Sequence, residues 1–81
     1  MSTAVTHEQV EIVVVESLAT FGAQPDLITP DATFEALDID SLDLAELSQI
    51  VHEQFGVELK GADVAEVKTV KDAVELIASR L

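Results

Sequence analysis

Apolar residues recur every three or four positions in three stretches of this chain, and a long polar connection separates the first stretch from the second. In the first stretch Val10, Val13, Val14, Leu18 and Phe21 fall on one face of a helix. That helix is expected to open at Thr6, whose side chain can cap while Gln9 reaches back, and to stop at Gly22. Glu8 suits the positive end of its dipole. The β-branched run Ile12-Val13-Val14-Val15 would also suit a buried strand. The cap, the length of the stripe and the terminating glycine favour helix. Ile12, Val15 and Ala19 lie on its back, so it should touch two neighbours. Residues 1–5 read as a frayed tail.

Residues 22–40 form the connection, and Pro25 and Pro30 block helix within it. Thr29-Pro30-Asp31 reads as a turn, and Thr33–Ala36 as a short helical turn. Loops of this length are functional or disordered; Leu27, Ile28, Phe34, Leu37 and Ile39 predict an ordered one pinned to the core. The second helix runs from about Ser41 to Phe55 and closes at Gly56. Its core stripe is Leu44, Leu47, Val51 and Phe55. Leu42 falls on the opposite side, beside Glu46, Gln49 and Glu53. After the extended link Val57-Glu58-Leu59 and a turn at Lys60-Gly61-Ala62, residues Asp63–Val67 predict a brief helical turn capped by Asp63. Thr69 caps the last helix, with Asp72 at its third position and Val70, Ala73, Val74, Ile77 and Leu81 on its apolar face. Arg80 complements its C-terminal dipole. No segment alternates with period two, so the fold class is all-α: a small up-down bundle of three longer helices plus one short helix.

The length, 81 residues, allows one domain, and the absence of cysteine excludes disulfides and thiolate chemistry from the chain itself. No secretory signal or membrane span is visible, and a cytoplasmic monomer is expected. Charge is the strongest compositional feature. Sixteen acids stand against four bases, a net charge of -12. All four bases (Lys60, Lys68, Lys71, Arg80) follow residue 59. Such a domain should be repelled by nucleic acid and anionic membrane and attracted to basic protein surfaces.

Catalysis has little to work with. The two histidines, His7 and His52, have no serine or cysteine at a spacing that implies contact, and they read as surface residues. Asp38-Ile39-Asp40 begins like a calcium loop. The sixth position, however, is Asp43 where glycine is needed, and the twelfth is Gln49 where glutamate belongs, so no metal site is expected.

Ser41 is the candidate site. A serine before a helix is ordinarily just its N-cap. Three features point to an attachment point instead. Asp40 can cap in its place, with Asp43 at the third position, which frees the hydroxyl. A phosphate on Ser41 would lie at the positive end of the helix. The long loop ends at that hydroxyl.

Asp40-Ser41-Leu42, the acidic helix Asp43–Phe55 with Glu46, the following Gly56-Val57-Glu58-Leu59, and Val67-Lys68-Thr69-Val70-Lys71-Asp72-Ala73 together resemble the acyl carrier proteins. The likeness runs from the first helix to Leu81. It implies that Ser41 carries 4'-phosphopantetheine, transferred from coenzyme A by a phosphopantetheinyl transferase, with Asp40 supporting the site. The arm brings the sulfur that the chain lacks and holds the acyl chain as a thioester; the carrier itself catalyses nothing. Leu42, Asp43, Glu46 and Glu53 become the docking surface for basic patches on acyltransferase, ketosynthase and related enzymes. Contacts of that kind are salt-sensitive. The acyl chain can fold back between the second and third helices. Where many members have glycine, this chain has Asp38, a residue that tolerates unusual backbone angles. Gln49 and His52 also depart from the fatty-acid pattern and favour a polyketide or other specialised pathway. Asp40 argues against the peptidyl carriers, which have glycine there. The rival reading is an acidic helical adaptor that binds basic proteins or divalent cations without a prosthetic group.

Overall fold

A computed structural model describes residues 7–81. The expected tail at 1–5 and the Thr6 cap lie outside the described residues. The helices are α1 (His7–Thr20), α2 (Ser41–Phe55), the short α3 (Gly61–Glu66) and α4 (Val70–Ser79). Among the described residues there is no strand, only one antiparallel bridge between Thr33 and Thr69. The bundle of three longer helices and one short helix is therefore the one the apolar pattern predicts.

Val10, Val14 and Leu18 on α1 lose all solvent contact, as do Val51 on α2 and Ile77 on α4. Each such side chain contributes about 1.5–3 kcal/mol of transfer free energy. Helix α1 packs most extensively on α4 and next on α2, which accounts for its two apolar sectors. Val13, Val15, Ala19 and Phe21 are half-buried and Ser17 is buried, but Ile12, expected on the second contact face of α1, is 49% exposed. Leu44 and Phe55 flank the buried pair Leu47 and Val51 on α2.

The connection is ordered by two means. Ala23, Phe34, Leu37 and Ile39 enter the core. The loop also hydrogen-bonds to the start of α4: Phe34 N–H donates to the Lys68 carbonyl (3.0 Å), Val70 N–H to Ala32 (3.0 Å) and Lys71 N–H to Pro30 (2.9 Å). The expected turn after Thr29 closes with Ala32 N–H on its carbonyl at 3.0 Å. Three expectations fail here. Leu27 is 55% exposed instead of pinned to the core. Pro25 opens a 3-10 turn, Pro25–Leu27, where it was expected to block helix. Proline suits a first helical position, whose N–H is unpaired anyway. Leu81, placed on the α4 apolar face, is half-exposed, because α4 ends at Ser79.

Candidate functional site

The geometry at Ser41 is built by the eight residues before it. Phe34 to Asp38 make a helical turn that starts with Ala36 N–H on the Thr33 hydroxyl. The turn closes as helices often do. Ile39 N–H donates to the Phe34 carbonyl (2.9 Å) and Asp38 N–H to Glu35 (3.1 Å), the paired bonds of a Schellman motif. The residue between must be left-handed, and Asp38 has φ 59°. The motif also brings Phe34 and Ile39 into the core together. The chain then leaves extended, and Asp40 becomes the N-cap of α2.

Asp40 Oδ1 accepts from Asp43 N–H at 2.9 Å, and Asp43 Oδ2 accepts from Asp40 N–H at 3.4 Å. This reciprocal capping box leaves the exposed Ser41 hydroxyl out of the cap. Ser41 occupies the first helical position, beside unpaired backbone N–H groups and the positive end of the dipole. Asp38, Asp40 and Asp43 all lie within three residues of it in the chain, and the helix end offsets their repulsion of an anion there.

Ser41 also stands at the edge of an open groove of about 690 Å³ between α2 and α3, lined by Leu44, Ala45, Ser48, Leu59, Lys60 and Val64 among others. Beneath it lies an apolar cavity of about 20 Å³, shared by Leu44, Ser48, Leu59, Val64 and Val67 with the core residues Phe34, Leu47 and Ile77. That space holds about one water molecule. Helix α3, which walls the groove, has no fully buried residue. It is held at its start by Asp63, which accepts from Lys60 N–H at 2.9 Å. Asp63 was expected to be the cap itself, after a turn at Lys60-Gly61-Ala62; Gly61 and Ala62 are instead the first two helical residues, Asp63 is the third and caps backwards, and Lys60 is in the cap position. Arg80 was expected to complement the α4 dipole. Its guanidinium instead grips Asp63 through two bonds, 2.8 and 2.7 Å, and donates to the Glu58 carbonyl at 3.2 Å. The Arg80 bonds first, then the Lys60 amide, hold the Asp63 carboxyl down at about 2. Asp72 is likewise lowered, by the Thr69 backbone and hydroxyl it caps.

A family model described as the phosphopantetheine attachment site matches residues 13–77, which span the bundle and the Ser41 turn. The chain belongs to the acyl carrier proteins. It is 42% identical over 73 residues to the acyl carrier protein of Zymomonas mobilis, covering 89% of this chain and 90% of that one. With that of Thermosynechococcus vestitus it shares 35% over 75 residues, 91% of this chain and 89% of the relative. The actinorhodin holo acyl carrier protein from S. coelicolor superposes with a TM-score of 0.68 at 28% identity, covering 100% of this chain and 95% of that chain. Its acetyl form gives the same score over 99% and 94%.

As an acyl carrier, the chain is a non-catalytic bearer of 4'-phosphopantetheine that holds acyl intermediates and presents them to the enzymes of polyketide or fatty-acid biosynthesis. The adaptor without a prosthetic group finds no support among these relatives. A free hydroxyl at a helix start, an open groove and an apolar lining fit the prosthetic group. Lys60, the first base in the chain, lines that groove.

The remaining candidate residues divide by position on α2. Leu42 is 79% exposed, and Glu46 and Glu53 are exposed on the same stripe. Asp43 lies about 100° away round the helix and is partly buried, with its carboxylate engaged in the capping box. Sequence reasoning missed Ser48 and Lys60. The one was an unremarked polar position on a helix; the other is brought to Ser41 only by the tertiary fold. No helix among the described residues is long and apolar enough to cross a membrane.

Proposed function

We propose that Ser41 is the residue that carries the 4'-phosphopantetheine arm. The supporting observation is a helix N-terminus capped by its neighbour Asp40, so that the serine hydroxyl faces outward and unused. Asp40 is then a positioning residue. Leu42, Glu46 and Glu53 form the docking stripe for basic surfaces on the phosphopantetheinyl transferase, acyltransferase and ketosynthase, with Asp43 contributing from its edge. The bound arm supplies a thiol for thioester chemistry, which this cysteine-free chain cannot. The chain's own part is to present Ser41, to repel anionic surfaces and to shelter the acyl chain between α2 and α3. Sheltering deeper than the open groove requires α3 to move, since the space of about 20 Å³ beneath it is far too small for a chain. The whole chain acts as one domain, as a cytoplasmic monomer.

The test is an intact mass before and after incubation with coenzyme A and a broad-range phosphopantetheinyl transferase. The native chain should gain one phosphopantetheine, or already carry it, and Ser41→Ala should gain none. An unmodified folded native chain, or a modified Ser41→Ala, would overturn the assignment.

A further inference from the structure

The groove beneath Ser41 is not uniformly apolar. Leu44, Leu59, Val64 and Val67 line both the open groove and the small cavity under it, and one polar side chain, Ser48, lines both with them. Ser48 is seven residues beyond Ser41 on α2. At about 100° per residue the two lie on nearly the same side of the helix, roughly 10 Å apart along its axis. A chain folding back from Ser41 between α2 and α3 therefore runs past Ser48.

The Ser48 hydroxyl has a definite bonding state. Its Oγ donates to the Leu44 carbonyl at 3.0 Å, one helical turn back. With that bond made, its oxygen keeps lone pairs that can accept from a neighbour. What Ser48 offers the groove's occupant without breaking that bond is an acceptor. A hydroxyl on an acyl chain can donate to it. A ketone on the same carbon can be met only if Ser48 turns its proton away from the Leu44 carbonyl, so it gains no net hydrogen bond. A saturated chain neither gains nor loses by it.

We propose that Ser48 is a specificity-determining residue, which makes the α2–α3 groove favour hydroxyl-bearing acyl chains over their oxo counterparts. This rests on the reading that Ser41 carries the arm. The selection acts on shelter from solvent: a β-hydroxy or more distal hydroxy chain would spend more time folded into the carrier, and a keto chain would remain outside, open to attack. The class of reaction that consumes keto chains and releases hydroxy chains, a ketoreduction, would thereby change the state of the carrier as well as the chain.

The test charges the full chain and Ser48→Ala, through a transferase and the corresponding coenzyme A thioesters, with octanoyl, its 3-, 5- and 7-hydroxy forms and the matching oxo forms. Intact mass records loading. The rate of thioester cleavage by hydroxylamine reads shelter, and amide shifts at Leu59, Val64 and Val67 read where the chain lies. Alanine is the strongest helix former and Ser48 is mid-helix, so the variant folds. In the native chain at least one hydroxy form should be cleaved roughly three- to tenfold more slowly than its oxo form, the range of one net hydrogen bond. Ser48→Ala should abolish that ratio and leave octanoyl as well sheltered as before. Equal rates for hydroxy and oxo forms in the native chain, or a ratio that survives Ser48→Ala, would overturn this inference and leave the carrier reading intact. Failure to load any chain on Ser41 would overturn both.

Discussion

Replacing Asp40 separates two contributions to the start of α2. Asp40→Ala removes the acceptor of the 2.9 Å bond from Asp43 N–H and leaves only the weaker reverse bond without its fixed partner. Loss of an aspartate N-cap costs about 1 kcal/mol, and loss of a carboxylate from the positive end of the dipole about 0.5 kcal/mol more. In a domain of this size each kcal/mol lowers the midpoint by roughly 4–8 °C. Asp40→Ala should therefore melt about 6–12 °C below the native chain. Asp40→Asn keeps an oxygen for the Asp43 amide and loses only the charge, so its fall should be about 2–4 °C. Thermal unfolding followed by circular dichroism measures both. Amide exchange should speed up at Asp43 and Leu44, whose N–H groups bond to Asp40, and stay slow at Val51, deep in the core. The alanine chain should also be modified more slowly at Ser41, since a frayed first turn no longer presents the hydroxyl in one position. An alanine variant within about 2 °C of native, or an asparagine variant as unstable as alanine, would refute this account of the cap.

Other perturbations test the rest of the construction. Asp38 holds φ 59°; Asp38→Val should destabilise by about 1–2 kcal/mol, whereas Asp38→Gly should be neutral or slightly stabilising, and equal melting of all three would remove the left-handed turn from the argument. Asp63 is held at about 2 against an ordinary 3.8, chiefly by Arg80, so its stabilisation is complete above about pH 4 and is lost as pH falls towards 2. Arg80→Gln should accordingly melt below native near neutral pH, with a gap that narrows across that window; a gap independent of pH would mean that Arg80 acts through the Glu58 carbonyl or by packing. Net charge of -12 predicts that millimolar magnesium or moderate salt raises the midpoint, and no change with either would count against self-repulsion. Glu46→Lys should slow acyl transfer to partner enzymes while leaving helical content intact; unchanged kinetics would locate docking elsewhere.

Helix periodicity made α1, α2 and α4 legible because each carries a recurrent buried apolar stripe, and the caps at Asp40 and Thr69 were legible because they are local. What the sequence hid is tertiary. Nothing in residues 22–40 announces that Ala32 and Phe34 will pair with Val70 and Lys68, since those bonds are between backbones of any identity. Leu27 looked like core because hydrophobicity was the only cue, but its position in a 3-10 turn aims it outward. Arg80 was assigned to its own helix for the same reason: a partner 17 residues earlier has no sequence signature. Asp38 was legible as a turn residue, because left-handed backbone restricts composition. The groove was not, because Lys60 and Ser48 belong to it only after α3 has folded against α2.

Helix α2 divides its circumference among three tasks. Leu47 and Val51 face the core, Leu42, Glu46 and Glu53 face outward on the opposite side, and Ser41 and Ser48 lie between, towards α3. The core sector is shared with α1, which packs on both α2 and α4, so it is held from two sides. The α3 sector is held by a short helix with no fully buried residue, tied down by one arginine. Local opening draws on the least buried elements first. The groove can therefore widen without unfastening the core face or disturbing the exposed stripe of Leu42, Glu46 and Glu53. Substitutions in different sectors should then combine additively, as distant independent sites do. Coupling between Glu46→Lys and Ser48→Ala in acyl transfer would show that docking itself moves α3, and that a partner opens the groove by binding the opposite side of the same helix.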